Sequence, residues 1–487
     1  MIAGSFRCTI RAAAHTLALV CAAWLGCAPA VVTAETSAAS PTPPATLPAD
    51  DQHRLEQAFA LIKRDYVVPP DDEKLMTGAL KGMVGDLDPH STFYDRAEFA
   101  RLQEQLAGGF AGVGLTVGEE YGQIRVYAPI EDSPAARAGI HAGDIVSRID
   151  GIPTQGLTVA DAVKRMRGEP GTQVKLTVYR GSDDATRTIT ITRAFIHAPS
   201  AKSRVPMPGY GYIRVSTFDD RAIADLVTSL HALVAAKPRL KGLVLDLRSN
   251  GGGILQEAVG VAGAFLPTGA AIVTVQERDD PGKRKTYRNT FDDYRRPSFA
   301  SDPLAGLPDM FKTLPLVVLT NEQSVSVTEV VAAALQASHR AVVMGRPTFG
   351  KGSIQVTGGL PGGTGITLTV ARYYAPDGHS IQNLGVVPDL PVDDYPDGNA
   401  DDLPAIREID LPHHLDNPQD PDEAAHEVLR EHDVVEQLRE HEVRATDDAH
   451  NLRKHRVPVA FGEPNDFMLR QALNWLRHRP VSLAKPG

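Results

Sequence analysis

Ser326 and Lys351 are the two side chains whose types and spacing best suit hydrolytic chemistry. Ser326 stands in the hydroxyl-rich run 321–328, just before a stretch of helix-forming composition, and Lys351 stands between Gly350 and Gly352. A serine hydroxyl is a weak nucleophile until a neighbouring base takes its proton. A lysine can be that base only when it is neutral, which requires burial or a cationic neighbour to lower its pKa. The pair therefore predicts a Ser–Lys hydrolase.

The elements around this pair are predicted to be strand, polar turn, helix, strand and glycine-bounded loop. Residues 316–319 form a short apolar run of the kind buried in a sheet, and 341–344 form a second one. The helix predicted over 329–337 follows Ser326, so its first backbone N–H groups can stabilise an oxyanion, with Val327 N–H the nearest. The alternative is structural: the hydroxyls cap the helix, and the lysine is a solvated loop residue.

A glycine-rich loop earlier in the chain has a similar strand–loop–helix context. Residues 241–248 form an apolar strand that runs into 249–253, which read Ser-Asn-Gly-Gly-Gly, and a helix is predicted over 255–265. Such a loop positions backbone N–H groups at a helix start. A phosphate-binding loop or a plain strand–helix turn would have the same layout, although no G-K-[ST] sequence supports the phosphate loop.

These blocks resemble the active-site region of the carboxy-terminal processing peptidases, a family of serine proteases that contain a PDZ domain. The family pattern, roughly N-x-G-S-A-S-A-S-E followed by T-F-G-K-G-S-x-Q, lies over residues 321–329 and 348–355. By position, the resemblance implies that Ser326 is the nucleophile and Lys351 the general base. It also implies that Gln355 orients the lysine.

The earlier glycine loop resembles the family block D-L-R-x-N-x-G-G, whose glycine amide completes the oxyanion hole. The resemblance therefore implies that the amide of Gly252 acts together with that of Val327. It leaves Gly251 and Gly253 open as alternatives to Gly252. The similarity to the family extends over about residues 66–392, so it does not depend on one short motif.

The middle of the chain is similar to the family's PDZ domain. Gly112, Val113 and Gly114 lie in a glycine-rich segment that resembles the loop whose backbone amides hold the terminal carboxylate of a bound peptide. Arg167 matches a family arginine thought to sense peptide docking and to steady the active site. A surface salt bridge is the alternative role for this arginine.

Residue patterns within the same region predict a small sheet and a helix. Apolar residues alternate with polar ones in the later strands, as in half-buried strands, and Thr158 is a suitable N-cap for the helix. The strands are predicted over 124–128, 145–149, 174–178 and 187–191, and the helix is predicted over 159–167.

Three residues depart from the family pattern near the nucleophile. Gln323 stands where the family has glycine, so a positive φ there would strain the backbone. Val325 and Val327 replace alanines and add bulk beside the oxyanion donor. None of the three removes a reacting atom, so we expect them to change the shape of the substrate pocket and the rate.

His90 and His379 are candidate catalytic histidines, but the sequence predicts a catalytic role for neither. His90 lies in the turn sequence L-D-P-H-S, where a loop or capping role is predicted. His379 lies in a turn-rich segment well beyond the predicted dyad, so the sequence gives it no triad role.

The first 34 residues have the features of a cleaved secretory signal, with cleavage predicted after Ala34. Between residues 11 and 35 the chain carries no charge and is rich in Ala, Leu and Val. A retained membrane anchor is the alternative, because this apolar run is nearly long enough to span a bilayer. Cys27 offers only a rough lipidation site. All three cysteines lie in this leader, so the mature chain would contain no disulfide, which suits a bacterial periplasm.

The 487 residues are too many for one ordinary domain, and six segments are predicted. The resemblance implies an α/β protease core of the crotonase-like type, with an inserted PDZ domain of mixed β structure and two helices. The segments are a signal peptide (1–34), a flexible linker (35–50), an N-terminal helical region (51–106), the PDZ domain (107–195), the serine protease core (196–392) and a C-terminal helical region (393–487) with helices over 422–443 and 466–477.

The predicted function is that of an exported serine endopeptidase that cleaves protein substrates near their C-termini. The PDZ domain would engage the substrate and a Ser–Lys dyad would hydrolyse it, and neither a metal nor an organic cofactor is implied. The expected partners are protein or peptide substrates with exposed C-termini, and the resemblance leaves an adaptor protein and a homodimer open. A net charge of −10 argues against a nucleic-acid partner.

The main alternative is a non-catalytic PDZ scaffold on an inactive protease core. Gln323 is its only support, and the intact Ser326, Lys351 and Gln355 oppose it. A trypsin-like PDZ protease is a weaker alternative, because no G-[DN]-S-G-G block is present in the sequence. A ligand-binding member of the same broad fold would need no dyad.

Overall fold

A computed structural model describes most of the chain as two units, with the boundary after Pro70. In the first unit, α1 (Ala49–Asp65) has no buried side chain. Within the described ranges, no helix has both the length and the apolar composition needed to cross a bilayer. The predicted leader and most of the helix predicted over 422–443 lie outside those ranges. The described residues are 46–106, 110–120, 123–130, 133–141, 143–180, 185–196, 199–235, 238–278, 282–396, 406–422 and 461–484.

The second unit begins with two helices that flank a short strand. The helices are α2 (Asp72–Gly85) and α3 (Arg96–Leu106), and the strand is β1 (Thr92–Tyr94). Asp71 caps α2 by accepting a hydrogen bond from the backbone N–H of Lys74 at 2.9 Å. Both helices fall in the region predicted to be helical, 51–106, whereas β1 was not predicted, since it is three residues long and pairs with a distant strand of the core.

The region predicted as a PDZ domain is an antiparallel sheet in the order β3-β4-β5-β7-β8, with β6 added to β5. Strands β2 and β9 pair separately and bring the two ends of the module together. Thr158 caps α5 by accepting from Asp161 N–H at 3.1 Å, which confirms that cap. The elements are β2 (Phe110–Gly112), β3 (Leu115–Glu120), β4 (Gln123–Pro129), α4 (Pro134–Arg137), β5 (Ile145–Ile149), β6 (Ile152–Pro153), α5 (Val159–Met166), β7 (Gln173–Arg180), β8 (Ala185–Thr192) and β9 (Ala194–Ile196).

The remaining core contains two sheets. The larger has the order β10-β11-β12-β15-β16-β19 and is parallel from β11 to β19, and the smaller has the order β1-β18-β13-β14 with β17 paired to β18. The elements are β10 (Ala201–Met207), β11 (Tyr210–Val215), α6 (Ala222–Ala235), β12 (Gly242–Asp246), α7 (Leu255–Gly263), β13 (Ala271–Glu277), β14 (Arg284–Arg288), α8 (Phe291–Tyr294), α9 (Met310–Thr313), β15 (Leu316–Thr320), α10 (Val327–Ala337), β16 (Val342–Gly345), β17 (Ser353–Gly359), β18 (Gly365–Tyr374), β19 (Leu390–Pro391) and α11 (Phe467–Leu476).

Helices cover both faces of the larger sheet. On β15, Leu316 and Val318 face the core formed with α6, α7 and α10. Val317 and Leu319 face the opposite side, where they join the cluster formed by α11. Both faces of a parallel strand are therefore buried, which explains why residues 316–319 are apolar without alternation.

Arg248, two residues after β12, is fully buried and binds two carboxylates. Its Nη2 donates to Asp246 at 2.6 Å, and its Nη1 and Nη2 donate to Asp466 at 3.1 and 2.6 Å. The guanidinium lies 4.2 Å from the ring centroid of Phe461. Asp466 also caps α11 by accepting from Leu469 N–H at 3.0 Å. This network fixes the C-terminal helix to the strand that leads into the glycine loop.

Replacing Arg248 with methionine is expected to destabilise the protein by about 3–5 kcal/mol, because the buried Asp466 would lose the guanidinium that binds it and the buried Asp246 would keep only the more distant Arg214, at 3.8 Å. Chemical denaturation measures this change in the free energy of unfolding. Arg204→Met is the matched control, since Arg204 pairs with Glu463 of the same C-terminal segment at 2.8 Å in a partly exposed position. Its loss should stay near or below about 1 kcal/mol, and equal losses in both variants would contradict the prediction.

Candidate active site

The ends of β12 and β15 bring two loops of the candidate site together. The strands are parallel neighbours, so their carboxyl ends lie at one edge of the sheet. Asn321 accepts from Ser249 N–H at 2.8 Å through its Oδ1, and Val325 N–H donates to the carbonyl of Asn250 at 3.0 Å. These hydrogen bonds hold the serine-containing turn against the glycine loop.

Ser326 is the N-cap residue of α10 and has an unusual backbone conformation, with φ 65° and ψ −126°. A residue other than glycine held in such a region carries strain of order 1–3 kcal/mol and persists only when its surroundings fix it. Here the Glu329 carboxylate accepts the Ser326 N–H at 2.7 Å. The Ser326 Oγ accepts a hydrogen bond from the hydroxyl of Tyr373 at 2.9 Å.

The backbone amides next to Ser326 differ in their availability for an oxyanion. Among the described residues, Val327 N–H has no acceptor, so it is free to bind one. Gly252 has φ +97°, and a Cβ there would lie 3.0 Å from the Cβ of Ser326, so its backbone lies against the nucleophile. Its N–H donates to the Oδ1 of Asn250 at 2.9 Å. Oxyanion binding by Gly252 would require that bond to open, and its role stays a prediction.

The other two glycines of this loop are placed differently. A Cβ at Gly253 would lie 2.3 Å from the carbonyl oxygen of Phe218, so close backbone packing explains this glycine. A Cβ at Gly251 would meet nothing within 4 Å. Their alternative oxyanion roles also stay predictions.

Lys351 is half-buried on the loop between β16 and β17. Burial lowers its pKa, although the carboxylates of Glu408, Glu329 and Asp88 act to raise it. Among the described residues, its ammonium makes no ion pair within 4 Å and no hydrogen bond, including none to Ser326. Because its pKa is lowered, a larger fraction of this lysine is neutral at a given pH than of an exposed lysine, and a general base must be neutral to accept a proton.

Gln355 does not contact Lys351 through a hydrogen bond in this structure. Its amide nitrogen donates instead to Ser353 Oγ at 2.9 Å and to Thr369 Oγ1 at 3.1 Å. The Thr369 hydroxyl in turn donates to Asp88 Oδ1 at 2.9 Å. The expected contact with the lysine is not made because these hydroxyls hold the amide, and the orienting role stays a prediction.

Glu329 is the residue that joins the two halves of the site, and the sequence interpretation gave it no role. Its side chain is fully buried and accepts four hydrogen bonds, from Ser326 N–H and Lys351 N–H at 2.7 and 3.0 Å, and from Gly350 N–H and Thr348 Oγ1 at 2.7 and 2.6 Å. Burial raises its pKa to about 7, against these hydrogen bonds, which lower it. One carboxylate thus fixes the backbone of both Ser326 and Lys351.

Glu329 had a signal in the sequence. It lies three residues after Ser326, the spacing of a capping box, in which an acidic side chain returns to the N-cap backbone. That spacing identifies the bond to the Ser326 N–H. It does not identify the partners 19 to 22 residues further on, because they reach Glu329 only through the tertiary fold.

Asp88 and His90, in the turn that follows α2, also belong to this site. Burial would raise the pKa of Asp88, but hydrogen bonds from Ser91, His90 and Thr369 together hold it below its usual value. The ring of His90 contacts the buried carboxylate of Glu408 at 2.7 Å. His90 therefore lies in a turn, as predicted, and its side chain pairs with a residue beyond the predicted protease core.

The structure also shows the positions of Gln323 and His379. Gln323 is exposed and does not adopt a positive φ, so the strain considered for that position does not arise. The positive φ belongs to Ser326 instead. His379 is 81% exposed and pairs with Asp377 at 3.0 Å, away from any triad role.

The predicted peptide-binding loop of the PDZ region is fixed by the turn that precedes α4. Gly112 ends β2, and the carbonyl of Val113 accepts from Ala135 N–H at 2.9 Å. The carbonyl of Gly114, which has φ +81°, accepts from the Ser133 hydroxyl at 3.0 Å. Peptide binding by this loop stays a prediction.

Arg167 is half-buried at the C-terminal end of α5, where its N–H donates to the carbonyl of Val163 at 2.9 Å. This position places the arginine at the end of the helix predicted over 159–167. Its role as a sensor of peptide docking stays a prediction, as does the alternative surface salt bridge.

An α/β core that places a serine at a helix start and a half-buried lysine on a glycine-bounded loop, joined to a PDZ module, is the arrangement of a serine peptidase. Residues 209–392 match peptidase family S41, residues 125–180 match the PDZ domain family, and residues 26–98 match the N-terminal domain of the activating protease CtpB. The last match begins within the predicted leader.

Known relatives agree with this class. A carboxy-terminal-processing protease of Bartonella bacilliformis is 38% identical over 342 residues, which cover 70% of this chain and 74% of the relative. The carboxy-terminal processing protease CtpA of Bacillus subtilis is 32% identical over 341 residues, which cover 69% and 68%. The chain therefore belongs to the carboxy-terminal processing peptidases, serine proteases of family S41. A solved photosystem II D1 C-terminal processing protease is 29% identical, with 71% of this chain and 88% of that chain covered and a TM-score of 0.40.

Proposed function

We propose that this chain is an exported endopeptidase in which Ser326 is the nucleophile and Lys351 the general base. The observation that carries the proposal is the Glu329 carboxylate, which binds the N–H groups of both residues at 2.7 and 3.0 Å. A shared buried anchor fixes the backbone of the nucleophile relative to that of its base, and such positioning lowers the barrier to reaction. The lowered pKa of Lys351 supports the same assignment.

In the proposed reaction, Lys351 in its neutral form takes the proton of the Ser326 hydroxyl as Oγ attacks the peptide carbonyl carbon. The oxyanion that forms is bound by Val327 N–H and by the amide of Gly252 once that amide is released from Asn250. The lysine then gives the proton to the departing amine. Water repeats the sequence on the acyl-enzyme, and Ser326 is regenerated.

The substrate is proposed to be a protein or peptide with an exposed C-terminus. The PDZ region, through Gly112, Val113 and Gly114, would bind the terminal carboxylate, and Arg167 would report that binding to the active site. The finer fold assignment, a crotonase-like core with an inserted PDZ domain and helical terminal regions, is part of this proposal.

Export is proposed from the leader at residues 1–34 and places the mature protein in the periplasm. N-terminal sequencing of the exported protein tests this, because cleavage after Ala34 leaves Glu35 as the first residue. A homodimer and an adaptor protein, both suggested by the resemblance, belong to the same proposal. Light scattering tests the dimer, and co-purification with the exported protein tests the adaptor.

Labelling of the nucleophile tests the proposed site. A fluorophosphonate reacts with an activated serine, so peptide mass mapping should find the added mass on Ser326, and cleavage of an unstructured protein should fall in parallel with labelling. Labelling at another serine, or full cleavage by a protein labelled at Ser326, would overturn the assignment. Amidation of the substrate's C-terminus should slow cleavage if the terminal carboxylate is recognised, and equal rates would exclude that recognition.

A further inference from the structure

The Tyr373 hydroxyl lies against the proposed nucleophile, and the mechanism above does not use it. Tyr373 is on β18 and is 1% exposed, and its hydroxyl donates to the Oγ of Ser326 at 2.9 Å. Its backbone N–H donates to the carbonyl of Gly352 at 3.0 Å. One residue thus touches the nucleophile with its side chain and holds the loop of the proposed base, next to Lys351, with its backbone.

The direction of this hydrogen bond determines its chemical use. A serine hydroxyl has one proton to donate and two lone pairs that accept. When Tyr373 donates to Oγ it occupies one lone pair, so the proton of Ser326 remains available for a base. Burial raises the pKa of Tyr373, and the carboxylate of Glu329 acts in the same direction, so the phenol keeps its proton and stays a donor.

We propose that Tyr373 is a catalytic residue whose hydroxyl stabilises the negative charge that develops on Ser326 Oγ. The proposal rests on the proposed function, in which Ser326 is the nucleophile. A hydrogen bond to an oxygen that gains charge becomes shorter and stronger, so it favours the transition state over the ground state. Charge develops on Oγ each time its bond to the substrate carbon forms or breaks.

In acylation, the bond from Oγ to the carbonyl carbon forms and the carbon–nitrogen bond breaks, while the proton moves from Oγ through Lys351 to the amine. In deacylation, a water oxygen bonds to the carbon and the bond to Oγ breaks. The water's proton passes through the lysine to Oγ, and the acid product leaves. Oγ is the leaving group of this second stage, so Tyr373 contributes there until the proton arrives.

Tyr373→Phe tests the proposal, because it removes the hydroxyl and keeps the buried ring. We expect kcat to fall about 10- to 100-fold with KM close to the parent value, the range expected for a lost hydrogen bond to a charged group. Unfolding temperatures of the parent and the variant establish that both are folded.

Tyr374→Phe is the matched control on the next residue of the strand. Tyr374 is 5% exposed, and its ring lies 5.3 Å below the guanidinium of Arg284. Among the described residues its hydroxyl has no hydrogen bond, so kcat should match the parent. If the Tyr373 hydroxyl only stabilised the fold, Tyr373→Phe would lower the unfolding temperature without changing kcat.

Ser326→Ala distinguishes a failure of the proposed function from a failure of the role proposed for Tyr373. If Ser326→Ala still cleaves, the proposed function fails. If Ser326→Ala cleaves no substrate and Tyr373→Phe has the parent's kcat, the proposed nucleophile is retained and the catalytic role of Tyr373 is overturned. Higher activity in Tyr373→Phe would also overturn it, because the hydrogen bond would then restrain the nucleophile in place of assisting it.

Discussion

Replacing Lys351 with methionine should remove nearly all peptidase activity and leave the protein folded. Methionine keeps a long unbranched side chain at this half-buried position but cannot take a proton. Because the ammonium forms no ion pair among the described residues, the substitution breaks no such contact, and burial already disfavours the charged form. We expect kcat/KM to fall by roughly 10⁴-fold or more, with an unfolding temperature equal to or above that of the parent.

The same loss is expected for Ser326→Ala, and the double variant should be no slower than either single one. A nucleophile and its base act as one unit, so removing the second partner after the first has no further effect. Lys312→Met is the control for the loss of a lysine, since Lys312 pairs with Asp309 at 3.0 Å on α9. Additive losses for Ser326 and Lys351 would show that they act in separate steps.

Much of the local structure follows from residue patterns. Residues 145–149 form a strand with the predicted limits, and the helix predicted over 159–167 forms over Val159–Met166 with the expected cap. These elements combine a clear apolar pattern with local boundary signals such as the N-cap residue Thr158. Such signals act between residues that are neighbours in the sequence, so one sequence is enough to find them.

The contacts that shape the site join residues that are far apart in the sequence. Thr369 reaches Asp88 across 281 positions, and Tyr373 reaches Ser326 across 47. Strand β1 is fixed by pairing with β18 and has no pattern of its own. The sequence motifs identified Ser326 and Lys351, while their anchors required the fold. The strained backbone is also at Ser326, although the departure from the family pattern drew attention to Gln323.

Glu329→Gln should weaken both halves of the site at once. The carboxylate accepts two hydrogen bonds on each oxygen, and all four partners are donors. An amide offers one oxygen, so its NH₂ group would face two donors in either orientation. Each buried donor left unpaired costs about 1–3 kcal/mol, so two of them should lower the free energy of unfolding by roughly 2–6 kcal/mol. Displacement of Ser326 or Lys351 by about 1 Å should lower kcat/KM about a hundredfold or more.

Glu257→Gln is the matched control for the buried charge. Glu257 is also fully buried, and burial raises its pKa to about 7 as well. It accepts a hydrogen bond from Ile223 N–H at 2.9 Å, and its other oxygen has no partner among the described residues. An amide satisfies this environment better than it satisfies that of Glu329. We therefore expect activity close to the parent's and a smaller change in stability.

The pH dependence of stability distinguishes the effect of removing a titrating buried carboxyl from the effect of releasing Ser326 and Lys351. The pKa of each folded carboxyl, about 7, lies above its usual value of 4.5, so the folded state binds the proton more tightly than the unfolded chain. Each group's contribution to the free energy of unfolding is complete below pH 4.5 and is lost as the pH rises through about 7. Both glutamine variants should therefore show a shallower decline over this range, and only Glu329→Gln should lose activity. If Glu257→Gln lost activity equally, the effect would belong to removing a buried charge and not to anchoring Ser326 and Lys351.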